Sequence, residues 1–182
     1  EGVIINSGFK RYSVTSNLDI QASDKLKIGL NLFARRTSQD GARTQEGSGG
    51  ATNSGVVAAA FKFGPDQPIR NANGRYTLAR LNDAHDNAVA VATEFIDESV
   101  ADRFQGNVFA EYEILNNLTF KTTFGLSSNN NRRGEYIPTV LQGGAGVGGD
   151  GRINSGKSSI LLNENFLTYS RTIDKHSFSI LG

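Results

Sequence analysis

The sequence has no cysteine, no methionine and no tryptophan, and only three of its 182 residues are proline. Without cysteine there is no thiol nucleophile, and neither the Gly-x-Ser-x-Gly elbow nor the His-Glu-x-x-His zinc motif occurs. Nothing in the sequence therefore argues for an enzyme. The 19 basic and 18 acidic residues nearly cancel, so the chain has no net field that would attract nucleic acid.

Long apolar runs are missing as well, and what the sequence has instead is alternation. Between Tyr12 and Ala22 every odd position is polar, whereas the even positions, apart from Ser16, are apolar: Tyr12, Val14, Leu18, Ile20 and Ala22. Successive side chains of a strand point to opposite faces, so this pattern predicts a strand with one apolar and one polar face. Its length favours a membrane strand, which needs about nine to eleven residues, over a soluble strand of about five or six.

The alternation recurs along the chain. Strands are predicted at 9–22, 26–36, 103–114, 118–127, 158–170 and 176–182. Among the first four strands, two polar faces carry a phenylalanine, Phe33 and Phe109. The fifth strand is irregular, and a one-residue bulge near Asn163–Asn165 would bring its apolar residues to one face.

The connections between these strands alternate in length. Short connections are expected at Ser23–Lys25, Leu115–Asn117 and Thr172–Lys175, and long loops at 37–102 and 128–157. Outer-membrane barrels keep their periplasmic turns short and their extracellular loops long. The predicted fold class is all-β, part of a large up-and-down antiparallel transmembrane β-barrel. Because six strands leave open edges in lipid, the chain is expected to be a segment of a larger barrel.

A secreted soluble β-rich binding module, such as an adhesin or lectin-like domain, is the alternative. Such a module would bury its apolar face against a second sheet, whereas a barrel turns the same face to the outer-membrane lipids. The two hypotheses therefore differ in whether Leu18, Ile28, Val108 and Phe120 lie in a compact core.

Two glycine-rich motifs suggest nucleotide binding. Gly151–Ser158 fits the phosphate-loop pattern and Gly144–Gly149 fits G-x-G-x-x-G. Either motif binds phosphate only between a buried strand and the amino end of a helix. No such strand precedes them, so a flexible external loop that continues into a strand is expected here.

Candidate metal ligands are few. His85 lies between Asp83 and Asp86, where a solvated turn is expected. Glu94, Asp97, Glu98 and Asp102 form an acidic run without the spacing of a calcium loop, so an exposed charged segment is expected. The sequence predicts no catalytic residue, no metal and no cofactor.

The first long loop is expected to contain a short helix. Val56–Phe63 is apolar, Ser54 is placed as an amino-terminal cap, and Gly64 with Pro65 would end the helix. Two interpretations stay open. The helix packs in the barrel mouth or under a partner, or it only provides the apolar surface that keeps a long loop ordered.

Several segments together resemble one family. The segments are Asn6–Tyr12, Leu18–Asp19, Asp24–Gly29, Gln39–Gly41, Thr44–Gly50, Arg103–Val108, Glu111–Tyr112, Leu162–Asn165, Leu167–Tyr169, Asp174–His176 and Leu181–Gly182. In order and spacing they resemble the barrel of SusC/RagA-type TonB-dependent transporters over nearly the whole chain. The chain departs from that family at Asn87-Ala88, where an Asn-Pro is common.

The resemblance implies a bacterial outer-membrane location and a barrel of about 22 strands with an amino-terminal plug. It also implies a SusD-like lipoprotein lid and import of glycan (oligosaccharide) or peptide fragments, driven through TonB by the amino-terminal region. The chain resembles a middle portion of the barrel, in which the plug and the TonB-contacting segment are not present. Lumen-facing candidates are Arg11, Asp19, Lys27, Arg35, Glu111, Glu113 and Lys121. Their mixed signs suggest salt-bridged packing against a plug.

Overall fold

The computed structural model describes residues 2–44, 55–78 and 85–182. The strands are β1 (Gly8–Ser23), β2 (Leu26–Asp40), β3 (Ile96–Leu115), β4 (Leu118–Ile137), β5 (Asp150–Ile173) and β6 (His176–Leu181), and the helices are α1 (Val56–Lys62), α2 (Ala88–Glu94) and α3 (Gln142–Ala145). The strands form one sheet in the order β1-β2-β3-β4-β5-β6. The predicted all-β, up-and-down antiparallel fold is confirmed.

The chain divides into two compact units. The strand unit comprises Tyr12–Arg36, Asp102–Asn130 and Gly156–Gly182, and the loop unit comprises Glu1–Arg11, Thr37–Ala101 and Asn131–Ser155. In the strand unit the only buried residues are two glycines, Gly29 and Gly125. The strand unit therefore has no core of buried side chains.

The apolar face of the strand unit is open. Tyr12 and Val14 are each 69% exposed, Leu18 is 48% exposed and Val108 is 43% exposed. Ile28 and Phe120 are half-buried. No second sheet covers this face within the described residues, which argues against the compact core that a soluble module requires. None of the described helices is long and apolar enough to cross a membrane.

The pairing of β2 with β3 keeps one register throughout the strand unit. The Glu113 N–H donates to the Lys25 carbonyl over 2.8 Å, and the Asn31 amide donates to the Asn107 Oδ1 over 2.8 Å. Both pairs fit one antiparallel alignment without an inserted residue. Residues of equal parity on β2 and β3 therefore lie on the same face of the sheet.

The pairing of β4 with β5 is also unbroken. The Ser170 N–H donates to the Asn117 carbonyl. In the same register Gly125 faces Leu162, and a Cβ added at Gly125 would lie 3.4 Å from the Leu162 Cβ. The bulge predicted near Asn163–Asn165 is therefore wrong. These two asparagines stay on one face, where the Asn165 Nδ2 donates to the Asn163 Oδ1 over 2.9 Å. Leu162 lies on the opposite, mostly polar face.

Four strands extend well beyond their predicted ends, and the first of them is β2, which continues to Asp40 instead of residue 36. β3 begins at Ile96 instead of residue 103, β4 continues to Ile137 instead of residue 127, and β5 begins at Asp150 instead of residue 158. The ranges 37–102 and 128–157, expected to be loops, thus contribute strand residues at their ends. The extensions carry polar side chains on both faces, so they lack the alternation that marks the rest of each strand.

The loop unit has its own small core. Ala90, Val91 and Leu141 are buried, and Val56, Tyr76, Phe95 and Ile137 pack against them. The helix predicted at 56–63 is confirmed as α1, which follows Gly55 without a side-chain cap. Ser54, the predicted cap, lies outside the described residues.

Candidate functional site

One face of the strand unit carries charged side chains in pairs of opposite sign. Lys27 Nζ on β2 lies 3.0 Å from Asp19 Oδ2 on β1, and Lys121 Nζ on β4 lies 3.8 Å from Glu111 Oε2 on β3. The Phe109 ring lies between the lysines, its centroid 5.8 Å from Lys27 Nζ and 4.7 Å from Lys121 Nζ. These five side chains share one face of the sheet, and we call them the charged ladder.

The ladder contributes little stability through its ion pairs. Each charged side chain is 41–56% exposed in this chain, and exposed pairs contribute about 0–1 kcal/mol. What the pairs provide is local neutrality, since each lysine has an acid on an adjacent strand. The ladder can therefore face a low-dielectric neighbour at a smaller cost than unpaired charges would incur.

Gly29 explains why a phenylalanine interrupts the polar face. A Cβ at Gly29 would overlap the Phe109 ring and would lie 2.7 Å from Asp19 Oδ1. The missing side chain on β2 thus leaves the space into which the Phe109 ring of β3 packs. Only the cross-strand register, which the sequence does not state, brings this glycine and this ring together.

The seven predicted lumen-facing residues do not form one cluster. Asp19, Lys27, Glu111 and Lys121 belong to the charged ladder. Arg35 and Glu113 lie on the same face by strand parity. Arg11 is exposed and belongs to the loop unit. That this face points into a barrel lumen stays a prediction.

The loop unit buries a polar segment that the sequence suggested was solvated. His85 is 6% exposed, Asp86 5% and Asn87 3%, so the expectation of a solvated turn at His85 is wrong. The Asn87 side chain accepts from the Val89 N–H over 2.8 Å and caps α2. Asp83 lies outside the described residues.

Asp86 connects the two long loops of the loop unit. Its Oδ1 and Oδ2 accept from the Gln142 N–H over 3.1 and 3.2 Å. Burial raises the pKa of Asp86, and this outweighs the Gln142 hydrogen bond and the nearby charges of Arg43 and His85, which lower it. One carboxyl thus joins the start of α2 to the start of α3.

Two acids of the acidic run, Glu94 and Asp97, are paired with side chains of the loop unit, whereas Glu98 is exposed as expected. The Tyr76 hydroxyl donates to Glu94 Oε1 over 2.8 Å. Arg133 Nε and Nη2 donate to the two Asp97 oxygens over 2.8 and 2.9 Å, and Asp97 is 13% exposed. The expectation of exposure is therefore wrong for Asp97, and the run has no calcium-site geometry. Among the described residues, no group of three or more His, Asp or Glu could hold a metal.

The glycine-rich motifs do not form phosphate sites. Gly151–Ser158 lies inside β5, and no helix follows it. The preceding glycine-rich segment contains the end of the four-residue helix α3, and its last two glycines, Gly148 and Gly149, have positive φ angles. A phosphate loop needs a helix amino terminus after it, so the structure does not support nucleotide binding.

No protein-family model matches the chain, but individual proteins do. It is 42% identical over all 182 residues to TonB-dependent receptor P3 and 26% identical over 189 residues to TonB-dependent receptor P26, both of Formosa agariphila. The chain spans 18% of the length of each of these relatives.

Solved structures give the same fold. The structure of the RagAB peptide importer in its closed-closed state matches 96% of the present chain with a TM-score of 0.70 and 21% identity, and the match covers 20% of the importer's chain. The open-open state of the same importer matches 96% of the present chain with a TM-score of 0.71 and 20% identity, and the match covers 19% of the importer's chain. The predicted resemblance to SusC/RagA-type TonB-dependent transporters is confirmed, and with it the outer-membrane location.

Proposed function

We propose that this chain, a SusC/RagA-like segment, forms part of the barrel wall of a TonB-dependent importer. This importer acts with a SusD-like surface lipoprotein and takes up glycan or peptide fragments. The chain covers about a fifth of its relatives, so transport belongs to the longer protein. Energy would reach that protein through TonB.

The observation that carries the proposal is the difference between the two faces of the strand unit. One face is apolar and open, with Tyr12, Leu18 and Val108 all well exposed. The other face carries the charged ladder. An open apolar face suits hydrocarbon, and the edge strands β1 and β6 need further strands because unpaired backbone groups are costly in lipid.

The charged ladder, with Arg11, Arg35 and Glu113, is the proposed lumen face. Its lysines are neutralised by acids from adjacent strands, which suits contact with a plug better than conduction of an ion of one sign. Under this proposal, uptake depends on the face as a packing surface, and no single ladder residue selects the solute.

Helix α1 is the proposed contact for the lipoprotein lid. Phe61 is 88% exposed on this helix, whereas Ala59 is fully buried. An exposed aromatic side chain on an otherwise anchored helix is typical of a partner interface. The RagAB neighbours are peptide importers, and this is the reason for testing peptides first.

The membrane assignment is tested on the full-length receptor in outer-membrane preparations. Carbonate or high-salt washing should leave the protein in the membrane, and detergent should release it. Release of intact protein without detergent would refute the proposal and favour the soluble module.

The lid contact is tested with Phe61→Ala, and Ala60→Ser on the same helix is the matched control. We expect Phe61→Ala to weaken co-purification of the lipoprotein and to slow uptake of labelled peptides, with normal amounts of receptor in the membrane. Unchanged co-purification and uptake would leave α1 as a segment that only orders its own loop.

A further inference from the structure

Two arginines face one another on the ladder face of the strand unit. The β2–β3 register that pairs Asn31 with Asn107 places Arg35 opposite Arg103. Side chains directly opposite on neighbouring strands have Cβ atoms about 5 Å apart, and like charges in this position are destabilising. The chain thus holds two positive charges side by side where sheets normally avoid them.

Both guanidinium groups are incompletely paired. The Nε atoms of Arg35 and Arg103 are inaccessible to solvent and have no hydrogen-bond partner among the described residues. Burying an N–H group without an acceptor is destabilising, and more so when the group is charged. By contrast, Lys27 and Lys121 on the same face each have a carboxylate within 4 Å.

The acids of this face do not compensate the arginines. Asp19 and Glu111 are already paired with the ladder lysines. In the register of the sheet, Glu113 and Glu164 lie at least six residues along the strands from the Arg35–Arg103 pair. At the rise of a β-strand this separation is about 20 Å or more. Asp102, adjacent to Arg103 in sequence, points to the other face and pairs with Arg36.

We propose that Arg35 and Arg103 together bind a carboxylate supplied from outside this chain. A guanidinium presents its N–H groups in a planar fork that matches the two oxygens of a carboxylate. One carboxylate between two forks would neutralise their repulsion and provide acceptors for the Nε groups. The carboxylate is either an acidic side chain of a plug or the free carboxyl group of a peptide solute, and both sources rest on the proposed function.

The test uses the full-length receptor with Arg35→Gln and Arg103→Gln combined. The matched control is Arg36→Gln, the neighbouring arginine on the opposite face. A double Arg→Lys variant keeps the charge and removes the fork. The two measurements are the unfolding temperature of purified receptor without solute, and the affinity for a labelled peptide compared with its carboxyl-amidated form.

The two sources give different results. A plug carboxylate predicts that the double Gln variant unfolds at a lower temperature than wild type and the control, with partial recovery in the Lys variant. A solute carboxylate predicts an unfolding temperature that is unchanged or higher. In that case wild type prefers the acid peptide about tenfold, about 1.4 kcal/mol, and the double Gln variant loses this preference.

The proposal is overturned if the double Gln variant keeps the unfolding temperature or raises it, and wild type does not distinguish the two peptides. If wild type binds both peptides equally, the proposed uptake of peptides stands and the solute source of the carboxylate fails. If wild type binds no peptide, import of peptides fails, and the unfolding temperature alone decides whether the site exists.

Discussion

Substituting Gly29 by alanine should destabilise the sheet through one identifiable contact. A Cβ at this position would overlap the Phe109 ring and approach Asp19 Oδ1 to 2.7 Å. The ring would have to move away from the new Cβ, and this would disturb its place between Lys27 and Lys121. Asp19 would also have to shift from its ion pair with Lys27.

The magnitude follows from two contributions. Overpacking at a closely fitted position costs about 1–3 kcal/mol, and breaking an exposed cation–π interaction costs about 0.5–1 kcal/mol. A gain from alanine over glycine in a strand offsets part of this. We therefore expect Gly29→Ala to lower the apparent free energy of unfolding by about 2 kcal/mol.

The assay is urea unfolding of the full-length receptor, compared by midpoint. Gly134→Ala on β4 is the control, because a Cβ there would meet nothing within 4 Å, and its midpoint should not fall. Phe109→Ala should remove most of the effect, so that adding Gly29→Ala to it costs little. Equal costs of Gly29→Ala with and without Phe109 would refute the packing of this ring against Gly29 as the cause.

Three further predictions concern the loop unit and are measured by hydrogen exchange of α2 and β3 amides. Asn87→Ala removes the α2 cap and should reduce α2 protection by about 1 kcal/mol, against no change in β3. Arg133→Gln leaves Asp97 unpaired and should reduce β3 protection by about 1 kcal/mol or less, since Arg133 is 52% exposed. If Arg133→Gln reduces protection equally in a receptor that already carries Asp97→Asn, the ion pair is not the cause. Because the pKa of Asp86 is raised, its stabilising contribution is complete below its ordinary pKa of 3.8 and is lost as pH rises through the raised pKa. Protection of α2, corrected for intrinsic rates, should therefore fall with pH in wild type and stay flat in Asp86→Asn.

The strands could be predicted where one face carries apolar and the other face polar residues. From Tyr12 to Ala22 the two faces carry different residue types, and because successive side chains of a strand point to opposite faces, the sequence alternates. The extension of β3 from Ile96 to Asp102 could not be predicted, because both of its faces carry polar side chains and only backbone pairing defines the strand. The same reason explains why β4 and β5 were expected to be shorter.

The site was predictable in its residue types and unpredictable in its pairings. Alternation selected Asp19, Lys27, Glu111 and Lys121 as one face, but which lysine meets which acid depends on the register between strands. The burial of Asp86 depends on a hydrogen bond with Gln142, more than fifty residues away in the sequence. A polar segment gives no local signal that a distant loop will cover it.

The two units draw their stability from different sources, and this bears on where variation can occur. In the strand unit only glycines are buried, so its fold depends on backbone pairing and on whatever lies against its two faces. The loop unit buries Ala90, Val91 and Leu141 within itself and is joined internally by the hydrogen bond between Asp86 and Gln142. A substitution of Asn87 by alanine should therefore loosen the loop unit and leave the strand unit intact. Because the loop unit has a core of its own, its exposed residues can change without disturbing the backbone pairing of the strand unit.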